Sequence, residues 1–443
     1  MSAAATSVKT LFENRPQWAW AAAILVGGAI HLCLWPLSEP PILFSDFMKA
    51  YWVAAEHLWN GGLSAHYPFT LPGNWSNLPI LAWPFALLVP LGREGAAWAY
   101  LIAGLIVTLA TWVFLARFAR LSGPMAAALL FLFFLNGPLL NTLREGNSTH
   151  FVLFFLVLTL VLWEGRREYL AGLALGMAAT IKLPLLLFGV YFFLRRRWAI
   201  VAGGATTVTV AVLLSLAIFG FADHVQWYDD SIGFATGGAV PAFNAQSIDG
   251  FLMRLSTGAE ELLYWGPIEP SLLHKIARDL ALLVLFGGFG WFIFRTERQG
   301  LIAPQGPGPT PHDLLQFSII IILSLIASPL TWTHYYAFLL VPLALYLGGR
   351  LPLPGDATTR WLFWTGYALA SLPVIMPKMS VDAEPPFSWQ AELAARTIVS
   401  AWLFGALIML ACFARGAWLA TAIAPSSRAV PEASGAIGNR PRS

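Results

Sequence analysis

The carboxylate of Asp46 is the group in this sequence best placed to do chemistry. It stands at the start of an amphipathic stretch, residues 45–62, that follows a predicted membrane span. A helix of this kind can lie at a bilayer surface, where a carboxylate could act as a base toward a lipid-linked polar substrate. The alternative is an ordinary helix cap, since Asp is common just before the first turn of a helix.

Two cations, Arg144 and Lys182, could hold a phosphate group. Arg144 begins the turn Arg144-Glu145-Gly146-Asn147, in which Asn147 is a candidate substrate-binding residue, and arginine can contact phosphate through two nitrogens. Arg144 could instead pair with Glu145 or reach lipid headgroups. Lys182 has apolar neighbours on both sides, and an ionisable group is costly enough in a membrane to indicate function.

Two further polar segments are candidates for donor and sugar binding. His334 lies in Ser-Pro-Leu-Thr-Trp-Thr-His-Tyr-Tyr, residues 328–336, and could donate to phosphate, although these aromatic residues could equally form a membrane-interface belt. A second cluster suits sugar hydroxyls and comprises Asn244, Gln246, Ser247 and Arg254. The alternative there is loop capping by Asn244 and Asp249.

The composition requires membrane helices to position these residues. Hydrophobic residues make up 58% of the 443 residues, charged residues only 11%, and 20 are Trp, which excludes a soluble domain. The apolar runs do not alternate as barrel strands would, so an all-α polytopic membrane protein is predicted. The predicted spans number twelve: 17–37, 95–116, 123–141, 149–163, 169–181, 183–194, 198–221, 277–294, 314–330, 334–349, 361–377 and 394–414.

Two parts of this topology are irregular. Lys182-Leu183-Pro184 interrupts the fifth and sixth spans, each too short to cross alone, so these two are expected to form a shallow V. The apolar run 78–92 contains three prolines, which favours a re-entrant or surface-lying segment.

Basic residues fix the expected orientation. Lys and Arg are retained on the cytoplasmic side of membrane helices, and one parity places most of them there with both termini. The predicted organisation is a cytoplasmic N-terminus over 1–16, a single catalytic domain over 17–423, and a disordered cytoplasmic tail over 424–443. The outer loops are then 38–94, 222–276 and 378–393, which places the candidate site on the outer face.

Other classes of site find little support in the sequence. Cys33 and Cys412 lie in apolar segments and are interpreted as small buried hydrophobic residues. No Gly-rich phosphate loop, Cys/His zinc spacing or nucleophile elbow is present, and no nucleic-acid partner is expected.

The order of the polar segments resembles glycosyltransferase family 87, the polyprenyl-phosphate-mannose-dependent α-mannosyltransferases. The resemblance runs from about Asp46 to Tyr336. Its matching pieces are Asp46-Phe47 with AAEHLWNGG, the Pro-rich run to Pro90-Leu91, REGN, AGLALGMAATIKLPLLL followed by RRRW, NAQS with Arg254, and SPLTWTHYY. Asn147 stands where the family usually has Gln, and Ala245 interrupts a usually contiguous NQS, which bears on the identity of the sugar.

The resemblance implies a GT-C fold and an inverting sugar transfer without a metal or other cofactor. The donor would be a polyprenyl-phosphate sugar, with mannose expected, and the acceptor a glycolipid or glycan on the outer face of a bacterial plasma membrane. Asp46 would be the catalytic base, with Lys182 and His334 near the donor phosphate. The alternatives are a lipid-linked sugar flippase or transporter, a transferase using another polyprenyl-phosphate sugar, and an acyltransferase built around a membrane histidine.

Overall fold

The fold is all-helical throughout the part of the chain that is described. The computed structural model describes residue 22 and residues 43–69, 75–299, 308–374 and 387–423, with side chains through residue 419. Every regular element in these ranges is a helix, and two isolated antiparallel bridges join Ala239 to Ile268 and Ala245 to Trp332. The all-α prediction is therefore confirmed.

Several predicted features fall outside these ranges. They are the span 17–37 apart from Ala22, Cys33, the termini 1–16 and 424–443, and part of the loop 378–393. Cys412, the other cysteine, is buried as predicted.

The α-helices are numbered here in chain order. They are α1 (Trp52–Gly61), α2 (Trp83–Ala86), α3 (Gly92–Phe118), α4 (Gly123–Leu135), α5 (Gly137–Glu145), α6 (Thr149–Glu164), α7 (Glu168–Ile181), α8 (Leu187–Leu194), α9 (Trp198–Trp227), α10 (Phe234–Thr236), α11 (Ile248–Thr257), α12 (Leu272–Arg298), α13 (Pro311–Ile326), α14 (Leu340–Leu347), α15 (Ala357–Ala370), α16 (Trp389–Arg396) and α17 (Ala401–Ile423). Short 3-10 turns precede several of them, at Pro79–Ala82, Val89–Leu91, Leu183–Leu186, Thr333–Leu339 and Ile398–Ser400.

Helix length and composition identify a multi-pass membrane protein. Among the described residues, four helical stretches are long and apolar enough to cross a bilayer alone: Val89–Phe118, Trp198–Thr236, Leu272–Arg298 and Trp389–Leu419. The bent pair α4 and α5 would supply a fifth, and further apolar helices of 10–17 residues include α6, α7 and α13. The count of twelve spans stays a prediction.

The predicted span 123–141 is not one helix, because α4 and α5 meet at a bend of 56°. Asn136 leaves the helical conformation there, and its Oδ1 accepts a hydrogen bond from the amide of Leu139 at 2.9 Å. Pro138 has no N–H for the first turn of α5. A Cβ on Gly137 would lie 2.0 Å from the carbonyl oxygen of Leu372, so only glycine permits this backbone approach.

The centre of the bundle is formed by α13 and the segment Thr333–Leu347. All residues from Asp313 to Ile326 are buried, as are all residues of the turn Thr333–Leu339. Helices α5 and α6 both pack against that turn. This packing brings the connection between α5 and α6, residues 146–148, toward the segment that contains His334.

The amphipathic stretch 45–62 packs its apolar face against protein. A π-helical turn, Phe47–Tyr51, leads into α1, and the ring of Tyr51 stacks on that of Phe85 at 4.5 Å between centroids. The ring of Phe47 lies 5.3 Å from that of Tyr100 of α3. Protein aromatic residues, rather than lipid, therefore cover this face.

Candidate active site

Asp46 does not cap the helix that follows it. Its backbone is helical, with φ −66° and ψ −43°, and its side chain accepts no hydrogen bond from the first turn. Its Oδ2 instead accepts a hydrogen bond of 2.7 Å from Nδ2 of Asn147, which is distant in sequence. The capping alternative is wrong for this residue, and the carboxylate is held toward the turn that joins α5 to α6.

The orientation of the Asn147 amide is set by Thr149. The backbone N–H and the hydroxyl of Thr149 donate to Oδ1 of Asn147 at 3.1 and 2.9 Å. With its oxygen already accepting two bonds, the amide must present its NH2 group to Asp46. Asn147 is thus a fixed donor to the candidate base.

Gly146 permits the close approach of this turn to Asp46. It ends α5 in the left-handed region, with φ +68°, where glycine is favoured. A Cβ there would lie 2.7 Å from Cβ of Phe47, the residue next to Asp46. The glycine therefore lets the turn pack directly on the backbone that carries the carboxylate.

Arg144 is engaged by neighbouring protein groups. One of its terminal nitrogens donates to Oδ1 of Asn141 at 2.7 Å and to Oε1 of Glu145 at 3.1 Å, while the hydroxyl of Ser45 donates to Oε2 of Glu145. These contacts agree with the alternative in which Arg144 pairs with Glu145. Contact of Arg144 with the donor phosphate stays a prediction.

Lys182 is a buried cation at the break between α7 and α8. Its backbone is extended, with φ −131° and ψ 95°, and Pro184 is the second residue of the 3-10 turn that follows, Leu183–Leu186. Its Nζ lies 4.4 Å from the centre of the Tyr335 ring, a cation–π contact. Within the described ranges it forms no ion pair, so its charge is available to an anionic ligand.

His334 and Lys182 both contact the aromatic ring of Tyr335. Its ring is 4.9 Å from that of Tyr335, its side chain is buried, and its Nε2 has no hydrogen-bond partner among the described residues. A buried imidazole nitrogen without a partner is costly, so a ligand that accepts or donates there would satisfy it. The structure thus brings together two residues that are far apart in sequence.

The Asn244-to-Ser247 segment holds the His334 segment in place. The amide of Gln246 donates to the carbonyl of Thr331 at 2.6 Å, and the amide of Thr333 donates to the carbonyl of Asn244 at 2.8 Å. The Tyr336 hydroxyl donates to the carbonyl of Gln246 at 2.6 Å. These hydrogen bonds hold residues 244–247 beside residues 331–336.

The side chains of this cluster are bonded mainly to protein. Ser247 caps α11, Asn244 accepts a bond of 3.0 Å from Nε1 of Trp265, and Nε2 of Gln246 donates to two carbonyl groups. Arg254 is fully buried and donates to the carbonyls of Ala242 and Ala245 at 2.9 and 2.7 Å. Their contact with a sugar stays a prediction.

The electrostatics of Asp46 suit a base. Burial raises the pKa of its carboxyl above the ordinary value, and this rise is opposed by the bond from Asn147 and by the charges of Lys182 and Lys49. A raised pKa makes the carboxylate a stronger proton acceptor. No group of three or more potential metal-binding side chains occurs in the described ranges, and the metal-independent reaction stays a prediction.

Sequence reasoning missed two contributors to this site. Lys49 is exposed three residues after Asp46, and that spacing places it about one helical turn further on. Thr149 follows Asn147 by two residues, a spacing typical of Asn side chains that bond to nearby backbone. Both signals were present in the sequence.

Comparison with known proteins decides the family. The sequence profile of glycosyltransferase family 87 matches residues 75–303. This chain belongs to glycosyltransferase family 87. The match includes Asn147, Lys182 and Arg254, whereas Asp46 and His334 lie outside it.

Curated relatives of this family 87 member are named as mannosyltransferases. One from Mycolicibacterium smegmatis, named polyprenol-phosphate-mannose-dependent α-(1-2)-phosphatidylinositol pentamannoside mannosyltransferase, is 30% identical over 64% of this chain and 60% of its own length. A Mycobacterium tuberculosis protein, named polyprenol-phosphate-mannose-dependent α-(1-2)-phosphatidylinositol mannoside mannosyltransferase, is 26% identical over 70% of this chain and 73% of its own. The first match thus spans less than two thirds of that relative.

A solved structure shows a distant likeness. It is ArnT from Cupriavidus metallidurans bound to undecaprenyl phosphate, with a TM-score of 0.46 and 15% identity over 91% of this chain and 76% of ArnT.

Proposed function

We propose that this family 87 member transfers a sugar, with mannose expected, from a polyprenyl phosphate donor to a glycolipid or glycan acceptor. The observation that carries the proposal is the Asp46 carboxylate, fixed by Asn147 and influenced electrostatically by the buried cation Lys182. The family and the names of the curated relatives support the donor class.

The proposed reaction inverts the anomeric carbon. Asp46 takes the proton of the acceptor hydroxyl as the acceptor oxygen forms a bond to that carbon. The bond between the anomeric carbon and the phosphate oxygen breaks at the same time, and its electron pair leaves with the polyprenyl phosphate. Lys182 and the free Nε2 of His334 would stabilise that departing negative charge.

The helix break at Lys182 also suits a lipid-linked donor. Leu183, Leu186 and Val190 follow the lysine and are 38%, 47% and 56% exposed. Apolar side chains exposed beside a buried cation match a ligand with a phosphate at one end and a hydrocarbon chain at the other. We place the polyprenyl chain along the face formed by Leu183, Leu186 and Val190.

The proposed location is a bacterial plasma membrane, with both termini in the cytoplasm and Asp46 on the outer face. The distribution of basic residues supports this orientation. Cysteine substitution at the exposed Lys49, followed by labelling of intact cells with a membrane-impermeant maleimide, tests it. Labelling only after lysis would contradict the outer-face site.

Purified protein in nanodiscs, supplied with polyprenyl-phosphate mannose carrying a radiolabel in the sugar, tests the activity. The expected result is release of labelled mannose from the lipid and its transfer to an added glycoside acceptor. Intact donor that instead moves across the bilayer of proteoliposomes would contradict the transferase and favour a flippase. Turnover only with another polyprenyl-phosphate sugar would overturn mannose as the donor sugar.

A further inference from the structure

A polar cleft opens on the exposed side of α1. It has a volume of about 690 Å³ and is lined by Val53, Glu56, His57, Asn60, Gly61, Ser64, Ala65, His66 and Phe69. These residues come from α1 and from the segment that follows it. None of them contributes to the candidate site around Asp46, and all of them precede the part of the chain that matches the family profile.

A continuous exposed stripe connects Asp46 to this cleft. Lys49, Val53, Glu56 and Asn60 are exposed at successive spacings of four, three and four residues, and His57, next to Glu56, is exposed as well. Most of the residues between them, including Tyr51, Ala54 and Leu58, are buried against protein, whereas Trp59 is exposed. One exposed side of the helical segment therefore runs from the candidate base to the cleft, over roughly 15 Å at the rise of a helix.

The groups in the cleft can recognise hydroxyls. Nε2 of His57 donates to the carbonyl of His66 at 2.9 Å, which leaves Nδ1 of a neutral ring as an acceptor. The carboxylate of Glu56 accepts hydrogen bonds, and the amide of Asn60 both donates and accepts them. The ring of Phe69 lies 5.8 Å from that of His57 and forms an apolar wall.

Asp223 holds the segment that forms one wall of the cleft. The Asp223 carboxylate accepts a bond of 2.8 Å from the amide of Tyr67 and lies 3.4 Å from Nδ1 of His66. The cleft residues include one carboxylate and no Lys or Arg, so they do not favour a phosphate. Mixed donors and acceptors on a fixed frame instead match the hydroxyl groups of a carbohydrate.

We infer that this cleft binds the non-reacting sugars of an acceptor that carries several linked sugars. This inference rests on the proposed function. The hydroxyl to be glycosylated lies at Asp46, and the rest of the glycan follows the exposed stripe to Glu56, His57 and Asn60. The acceptor class is accordingly an oligosaccharide-bearing glycolipid or glycan rather than a single sugar on a lipid.

The test compares two acceptors that share one aglycone: octyl α-mannoside and the octyl glycoside of four α-linked mannoses. Transfer is measured from radiolabelled polyprenyl-phosphate mannose by purified protein in nanodiscs. The wild type is expected to have a KM at least about tenfold lower for the four-sugar acceptor, the effect of one or two additional hydrogen bonds. In Glu56→Gln/Asn60→Ala, the ratio of the two KM values is expected to fall toward one.

The controls separate the cleft from the reaction. Glu260→Gln removes an exposed carboxylate far from the stripe in sequence, and it should keep the wild-type ratio of KM values. The single variants Glu56→Gln and Asn60→Ala provide a second route if the double variant fails to fold. Equal KM values for both acceptors in the wild type, or an unchanged ratio in the folded variants, would overturn the cleft assignment. Absence of transfer to either acceptor would instead count against the proposed function.

Discussion

Nδ2 of Asn147 donates a hydrogen bond of 2.7 Å to Oδ2 of Asp46, although the two residues are 101 positions apart. The bond joins the helical segment that carries the candidate base to the turn between α5 and α6. Because Thr149 fixes the other end of the same amide, the carboxylate has one defined orientation. A proton acceptor held in this way is ready for an incoming hydroxyl group.

Asp46→Asn is expected to lower kcat by about 100-fold or more, the usual contribution of a general base. The variant keeps the shape of the side chain but cannot accept the proton, so binding of the donor should change little. Transfer of labelled sugar and retention of labelled donor by the purified protein measure the two effects. Asp229→Asn, at an exposed carboxylate after α9, is the matched control. Full turnover in Asp46→Asn would rule out the role as base.

The pH profile should report the raised pKa of Asp46. Only the deprotonated carboxylate accepts a proton, so kcat/KM should fall as the pH decreases through that pKa, at a pH above the ordinary carboxyl range. Asn147→Ala removes the bond that holds the pKa down, and it should therefore shift this acid limb to higher pH. Profiles of both proteins, with Asp229→Asn for comparison, measure the shift. An acid limb unmoved in Asn147→Ala would contradict the coupling of the two residues.

Lys182→Met tests the buried cation. Loss of a charged contact to phosphate is worth roughly 1.5–3 kcal/mol, so inhibition by the product polyprenyl phosphate should weaken about tenfold to 100-fold. Methionine keeps the apolar length of the side chain, and Lys182→Arg keeps the charge as the matched control. The inhibition constant and kcat are measured for each. Wild-type inhibition of the methionine variant would remove Lys182 from the phosphate site.

The helices could be predicted because their signals are local. Apolar runs over α3, α6 and α12 are long and uninterrupted, and the sequence places each within a few residues of its observed bounds. The bend at Asn136 was missed because the apolar run continues through Gly137 and Pro138. Capping by Asn136 and the backbone contact of Gly137 with Leu372 decide the break there, and a contact with a distant segment leaves no local pattern.

The candidate site, like the fold, could be predicted from the sequence only in part. Asp46, Lys182 and His334 stand out as polar groups beside apolar segments, which a sequence displays directly. Their contacts could not be predicted: Asn147 was a candidate for substrate binding, but its bond to Asp46 and the contact of Tyr335 with Lys182 arise only through tertiary packing. Arg254 looked like a sugar-binding cation, yet its nitrogens bond to carbonyl groups that only the folded chain brings to it.

Gly146→Ala should disturb both stability and catalysis. Alanine at φ +68° costs about 1–2 kcal/mol, and its Cβ would meet Cβ of Phe47 at 2.7 Å. Because the turn would move away from Asp46, kcat should fall with the midpoint of thermal unfolding. Gly189→Ala is the control, since its Cβ would meet no atom within 4 Å. Equal unfolding midpoints for the two variants would show that the close packing of the turn is not required.

Arg254→Ala is expected to lower the stability of the protein rather than its affinity for substrates. The guanidinium of Arg254 also donates to Oγ of Ser400 at 2.9 Å and thereby ties α11 to the start of α17. Its removal leaves buried carbonyl groups unsatisfied, each at a cost of about 1–3 kcal/mol, so the midpoint of thermal unfolding should fall. Arg254→Lys should restore part of this loss, because one ammonium can reach fewer of the acceptors than the planar guanidinium.

The activity of the folded fraction separates structure from sugar binding at Arg254. Size-exclusion chromatography isolates that fraction, and transfer is measured below its unfolding midpoint. A structural role predicts a KM for donor and acceptor near the wild-type values, since both terminal nitrogens of the guanidinium already bond to backbone carbonyls or to Ser400. A stable Arg254→Ala protein with a strongly raised KM would instead place this residue on the substrate.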